Sequence, residues 1–213
     1  MGRWQPDARG RLERAALELF SERGFDDTTV VAIAERAGLT ERTFFRYFAD
    51  KREVLFGETG ATEEQLGSVV ADAPAGTAPL DLVAAALAAW APYFESRREL
   101  VQRRQAIIAS TAELRERELI KLAHLGSHLA GALRDRGIVE PLASLAAEAG
   151  MAVFRVAFQQ WVADPSQDLA LLLKVGFESL QAVTATSGDG SRKKGNGSRK
   201  KGSDASRGSR SPG

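Results

Sequence analysis

The sequence predicts an all-α chain: an N-terminal three-helix unit of helix-turn-helix type, then a larger C-terminal helical bundle. Three observations carry that expectation. No run alternates between apolar and polar residues as a half-buried strand would. Apolar residues recur instead at helical spacing, in segments dominated by Ala, Leu, Glu and Arg. Capping residues, glycines and prolines punctuate those segments.

In the first segment, Leu12, Ala16, Leu19 and Phe20 fall at i, i+4, i+7 and i+8. Asp7 is the expected N-cap and Gly24 the expected left-handed stop. A second helix starts after a Thr28 cap, with Val30, Ile33, Ala34 and Ala37 on one face, and ends at Gly38. Thr40 caps a short third helix over 41–47. Asp50 opens a fourth, running to about residue 71, with Glu53 completing a capping box. The stretch 71–79 is a loop by composition. Five more helices are expected at 80–95, 97–109, 111–136, 140–163 and 167–184, with Pro92 kinking the first of them.

Three divisions follow: 1–50 as a helix-turn-helix domain, 51–186 as a helical domain, and 187–213 as a disordered tail. The tail holds Ser, Gly, Lys and Arg, repeats GSRKKG at 190–195 and 197–202, and has no large apolar residue to repay the entropy of ordering. The formal net charge of +1 is split accordingly. The tail carries eight Lys/Arg against two Asp/Glu, and the other 186 residues are slightly acidic. Such a tail suits extra, sequence-independent phosphate contacts or simple solubilisation.

Several classes fall away. There is no Cys, so disulfides, thiolate metal sites and thiol catalysis are excluded. No apolar run reaches the roughly 18 to 20 residues of a membrane span, and "MGRWQPDARGRLERAA" has no signal-peptide core. A cytoplasmic protein with no membrane partner is the expectation. His124 and His128, at i, i+4, could grip a metal, but no third ligand stands nearby. Neither a metal nor a cofactor is expected. Nucleophile elbows, P-loops and dinucleotide loops are absent, so an enzyme is not expected.

The chemistry concentrates in "TERTFFRYFADK", 40–51. Four aromatic rings stand in five places, in a chain only 7% aromatic. Phe44 and Phe48, at i, i+4, share a face that can pack on Leu19, Phe20, Phe25 and Ile33. Phe45 and Tyr47 must then point away with Arg42, Thr43 and Arg46. Two helices joined by a tight Gly-containing turn place the second across the major groove of duplex DNA. There Arg42 suits a bidentate contact to guanine, Tyr47 a phosphate, and Phe45 a sugar or thymine methyl. Thr29, Thr40 and Lys51 are candidate phosphate anchors.

These residues also resemble a family. "AALELFSERGFDDTTVVAIAERAGLTERTFFRYFADKREVL", 15–55, is similar to the DNA-binding region of the TetR family of bacterial regulators. Ala16, Phe20, Gly24, Thr29, Ile33, Ala34, Ala37, Gly38, Phe48 and Lys51 stand where that family expects them. Phe45 departs from it: the family usually has Tyr there, and Phe keeps the ring but loses the hydroxyl's bond to phosphate. The resemblance implies a repressor that binds a palindromic operator as a dimer and is released by a small effector. It implies a homodimer through helices 140–163 and 167–184, both of which are apolar on more than one face. It also implies an effector pocket. Trp90, Phe94, Gln105, Ile108, Leu122, Leu125, His128, Leu129, Phe154 and Phe158 are its expected walls. Few of these are polar, so an apolar effector is expected. "RRQAIIASTAELRERELIKLAHLGSHLAGALRDRG", 103–137, is similar to a subgroup from high-GC bacteria, some of which sense acyl-CoA-like or other lipophilic molecules. The helix at 51–71 would be the lever between pocket and groove. Two other readings stay open: a DNA-binding regulator whose pocket is filled by side chains, and a helical enzyme or carrier with a vestigial helix-turn-helix.

Overall fold

The computed structural model describes residues 7–56 and 59–185. Within them the helices are α1 (Ala8–Arg23), α2 (Val30–Arg36), α3 (Glu41–Tyr47), α4 (Glu53–Phe56), α5 (Thr59–Asp72), α6 (Pro79–Ala88), α7 (Ala91–Ser96), α8 (Arg98–Ser110), α9 (Ala112–Asp135), α10 (Leu142–Ala163) and α11 (Leu169–Ala185). No strand occurs among the described residues. The tail expected at 187–213 lies outside them.

Local chemistry sets the first three helices. The Asp7 carboxylate accepts from the Gly10 N–H and opens α1. Gly24, at φ 88°, closes it by donating its N–H to the Phe20 carbonyl. Thr29, not Thr28, caps α2: its backbone is extended and its hydroxyl accepts from the Ala32 N–H at 3.2 Å. Thr28 is buried and spends its hydroxyl on the Gly24 carbonyl, 2.8 Å away. Gly38 takes φ 65° in the turn between α2 and α3, a conformation that a Cβ would strain. Arg11 of α1 closes that turn by donating to the carbonyls of Ala37 and Gly38.

One expected helix is broken, and another starts with half a capping box. Asp50 accepts from the Glu53 N–H at 2.9 Å, but Glu53 turns its carboxylate to Arg117, so only one arm of the capping box forms. Of the helix expected over 51–71, the described parts are α4 and α5. The helix expected over 80–95 becomes α6 and α7. Pro92 lacks an N–H and crowds the carbonyl four residues back, that of Ala88, where α6 stops.

Two hydrophobic clusters form. The first holds Leu12, Leu19, Phe20, Phe25, Ile33, Phe44 and Phe48 of the first three helices with Val54, Leu55 and Phe56 of α4. The α8–α9 corner joins it through Ile107, Ile108 and Leu114. The second gathers α5, α6, α9, α10 and α11 around Trp90, Phe154 and Trp161. α10 is its axis, packing on α6, α9 and α11. By length and hydropathy α10 alone among the described residues would span a bilayer, but its small residues are buried in this bundle. Gly150 permits the closest approach: a Cβ there would lie 2.2 Å from Val83 Cγ1 of α6.

Candidate nucleic-acid interface and effector site

α3 has two faces. Phe44 and Phe48 are buried against α1 and α2, their ring centres 5.4 Å apart. One residue on, Phe45 is 52% exposed and Tyr47 37%. Arg42 and Arg46 are exposed between them, with Thr43 half-buried. Arg46 lays its guanidinium 4.9 Å from the Tyr47 ring centre and donates to the Tyr47 hydroxyl at 3.2 Å. That hydroxyl therefore still has its own proton to give. Arg42 has no hydrogen bond or ion pair to another described residue. Its five donors are available to a partner with two adjacent acceptors. Glu41 is exposed in the first turn, where a carboxylate suits the helix dipole.

Two of the three threonines cap helices, and the third pairs with one of them. Thr29 and Thr40 each accept from the backbone N–H three residues on, at 3.2 Å. The hydroxyls of Thr40 and Thr43 lie 3.0 Å apart and share a hydrogen bond. Lys51 differs from the expectation of a free anchor. Its ammonium donates to the carbonyls of Phe25, Asp26 and Thr28 at 2.7, 3.1 and 3.0 Å. An ammonium has three protons, and three acceptors are in place. Lys51 thereby ties the start of α4 to the loop that presents Thr29.

Ion pairs brace the same unit. Arg36 of α2 grips both carboxylate oxygens of Glu22 of α1, at 2.9 and 2.8 Å, and reaches Glu18 at 3.3 Å. The hydrogen bond from Arg36 holds the Glu22 carboxyl below its ordinary value. Both partners are largely exposed, so this orients α2 more than it stabilises the fold.

α4 is gripped from the other side. Arg104 of α8 and Arg117 of α9 both lie over its Phe56, 5.2 and 5.4 Å from the ring centre. Arg104 also donates to the Leu55 carbonyl and to Glu118 of α9. Arg117 pairs with Glu53, and Arg52 with Glu113. Burial pushes the Glu118 carboxyl up, but Arg104, Gln105 and Lys121 together hold it below its ordinary value.

The expected pocket walls separate into four places. Trp90, Phe94, Phe154 and Phe158 come together, with ring centres 5.2 to 6.2 Å apart, and Leu125 and Leu129 belong to the same cluster. Leu122 is half-buried against it. Gln105 instead donates to Glu118 at 3.1 Å, beside α4. Ile108 lies in the N-terminal cluster, because the α8–α9 corner dips into that core. His128 is exposed and lines an open cleft of about 660 Å³ between α5 and α9, with Gly67, Ala71 and Arg136. Arg136 spends its guanidinium on the carbonyls of Val70, Ala71, Ala73 and Pro74 at the end of α5.

Trp161 completes the aromatic cluster and is not among the expected walls. Its ring stacks on Phe158, and its N–H donates to Glu95 at 2.7 Å. Glu95 also accepts from Arg98 and from the Leu169 N–H at 3.0 Å, tying α7 to α10 and α11. Burial raises the Glu95 carboxyl, and these donors more than offset it, so it sits below its ordinary value. Trp90 is equally buried, at 2% exposure, and its indole N–H has no partner. The (i, i+3) pair of Glu95 and Arg98 was visible in sequence, but nothing there linked it to Trp161, 66 residues on.

Comparison with known proteins agrees with this geometry. Residues 13–57 match the family described as bacterial regulatory proteins, tetR family, and residues 77–185 match the MftR C-terminal domain. A relative from Mycobacterium tuberculosis, named as the mycofactocin biosynthesis transcriptional regulator MftR, is 26% identical over 185 residues, covering 85% of this chain and 93% of that protein. Among solved structures, FadR of Bacillus subtilis in complex with stearoyl-CoA superposes with a TM-score of 0.58 at 22% identity, covering 80% of this chain and 96% of that one. The SmeT–triclosan complex gives the same TM-score and identity, covering 81% and 90%.

Proposed function

The chain belongs to the TetR family of bacterial regulatory proteins and is a transcriptional regulator; from that premise we propose that it is a homodimeric repressor, released from a palindromic operator by a small apolar effector. The observation that carries the reading is α3, whose inner rings are locked in the core while Arg42, Phe45, Arg46 and Tyr47 face outward. Arg42 reads a base edge. Thr29, Thr40, Thr43, Tyr47 and Arg46 hold phosphates, and Phe45 lies against a sugar or thymine methyl. Lys51 supports this set through the 25–28 loop rather than by touching DNA.

In this proposal residues 1–50 read DNA, and 51–186 dimerise and bind effector in the cytoplasm. The dimer forms across α10 and α11. Leu142, Leu145 and Val156 on one and Leu171, Val175 and Val183 on the other are exposed in the single chain. The two-fold axis then sets two copies of α3 about 34 Å apart, one turn of DNA. Effector binding favours a dimer in which that spacing is wrong, and the grip of α8 and α9 on Phe56 transmits the shift.

One observation favours the second reading, a regulator without an effector: Trp90, Phe94, Phe154 and Phe158 already pack on one another. Selection of bound sequences from random duplex DNA by purified protein tests the main reading. An inverted repeat should be enriched. Titrating lauroyl-CoA and triclosan against the selected duplex then asks for release. Enrichment of no duplex would remove the repressor reading, and release by no lipophilic compound would leave the second one.

A further inference from the structure

Two tryptophans belong to one aromatic cluster of the bundle, both almost fully buried, and they are treated differently. Trp161 gives its N–H to Glu95 at 2.7 Å. Trp90 gives its N–H to nothing. Buried donors are nearly always paired, so an unpaired one in a native core marks a place where a partner is missing. Trp90 also stands at a joint, between the end of α6 and the start of α7, where the chain is not held by a continuous helix. Phe94 of α7 packs on Trp90, Phe158 of α10 packs on Phe94, and both are only half-buried. Those two rings, 5.2 Å apart, form a half-buried edge of the cluster.

We propose that the Trp90 indole N–H is the polar contact of the effector site, and that the effector is an apolar molecule carrying a hydrogen-bond-accepting oxygen, such as a carbonyl. This rests on the effector reading above and narrows it. The remaining surface of the site is hydrocarbon and ring: Phe94, Phe154, Phe158 and Leu129. The carboxylate of Glu95, beside the cluster, is already shared among Trp161, Arg98 and the Leu169 N–H. A cationic ligand would thus meet a donor edge and no free anion. An acceptor oxygen would meet a donor with no competitor and little water, the setting in which one hydrogen bond discriminates most strongly.

Two planar probes of matched shape separate the contributions: 2-acetylnaphthalene, which carries a carbonyl oxygen, and 2-isopropenylnaphthalene, which carries a CH₂ in its place. Binding is measured by calorimetry to the wild-type full chain and to Trp90→Phe, which keeps a ring and removes the N–H. The wild type should prefer the ketone by roughly tenfold, and Trp90→Phe should erase that preference while leaving the hydrocarbon's affinity in place. Trp90→Phe also puts a smaller ring in a packed cluster, so its thermal unfolding is recorded to fix a temperature at which both proteins are folded. In ¹⁵N-labelled protein the ketone, and not the hydrocarbon, should move the indole N–H resonance that Trp90→Phe deletes. If both probes bind and Trp90→Phe keeps the preference for the ketone, the effector site stands and the assignment to Trp90 fails. If neither probe binds, the cluster is core and both readings of it fail together.

Discussion

The Lys51 ammonium lies 2.7 Å from the carbonyl oxygen of Phe25 and 4.4 Å from the centre of the same residue's ring. One side chain thus satisfies the backbone of the 25–28 loop and closes over its aromatic anchor. Lys51→Ala should lower stability by about 2 kcal/mol, the scale of charge-assisted hydrogen bonds lost to partly buried carbonyls. Thermal unfolding of the variant checks it. A variant with wild-type stability that loses DNA affinity would show Lys51 to be a direct phosphate contact after all.

Arg42 and Tyr47 should fail in different ways. Arg42→Ala should cost about 1 to 3 kcal/mol on the preferred operator and little on others, so specificity relaxes at one base pair of each half-site. Tyr47→Phe should weaken all duplexes alike and leave the preferred sequence unchanged. Parallel binding titrations on selected and scrambled DNA distinguish the two patterns.

Gly150 should not tolerate a side chain. The added methyl of Gly150→Ala would meet Val83 Cγ1 at 2.2 Å, across the α6–α10 contact. A loss of about 1 to 3 kcal/mol is expected in denaturant unfolding. Val83→Ala in the same chain should return part of it, because it removes the colliding atom. Additive losses would sink this account.

Glu118 makes stability depend on acid. Its folded-state carboxyl is held below the ordinary value of 4.5, so it contributes stability above that value and loses it as pH falls through the folded value. Glu118→Gln should therefore be destabilising at about pH 7, with the gap from wild type narrowing by about pH 4. A gap that widens on acidification would reverse the assigned sign.

Charging the exposed face of α11 should separate the subunits. Leu171→Lys with Val175→Lys places two ammonium groups where the proposed two-fold contact buries apolar surface. Sedimentation should then find a monomer that keeps its helical content. A dimer of unchanged stability would move the interface elsewhere.

The reader unit was legible because its signals are local. Asp7, Gly24, Gly38 and Thr40 act within a few residues of themselves, and their types announce their roles. Thr28 and Thr29 defeated the same logic. Adjacent threonines offer identical chemistry, and only the path of the chain decides which hydroxyl faces the helix. The contacts of Lys51 were illegible for a different reason: its three acceptors are 23 to 26 residues away, in a loop whose shape no propensity encodes. The helical body was readable as a set of apolar stripes but not as an arrangement. Ile108 and Trp90 look alike in a pattern of buried residues, and the structure puts them in separate clusters. The break in the helix expected at 80–95 was half visible: Pro92 announced it, but its position depended on where Ala88 could end a turn.

The α8–α9 corner carries an evolutionary consequence. Since Ile107, Ile108 and Leu114 complete the core beneath the recognition helix, the reading head cannot be cut off at the end of α4 and spliced onto a foreign body. Such a chimera would leave an oily gap under α1 unless the new host supplied a hairpin tip of matching shape. Recombination among relatives should therefore inherit that tip together with the head, as one heritable piece drawn from two distant stretches of gene.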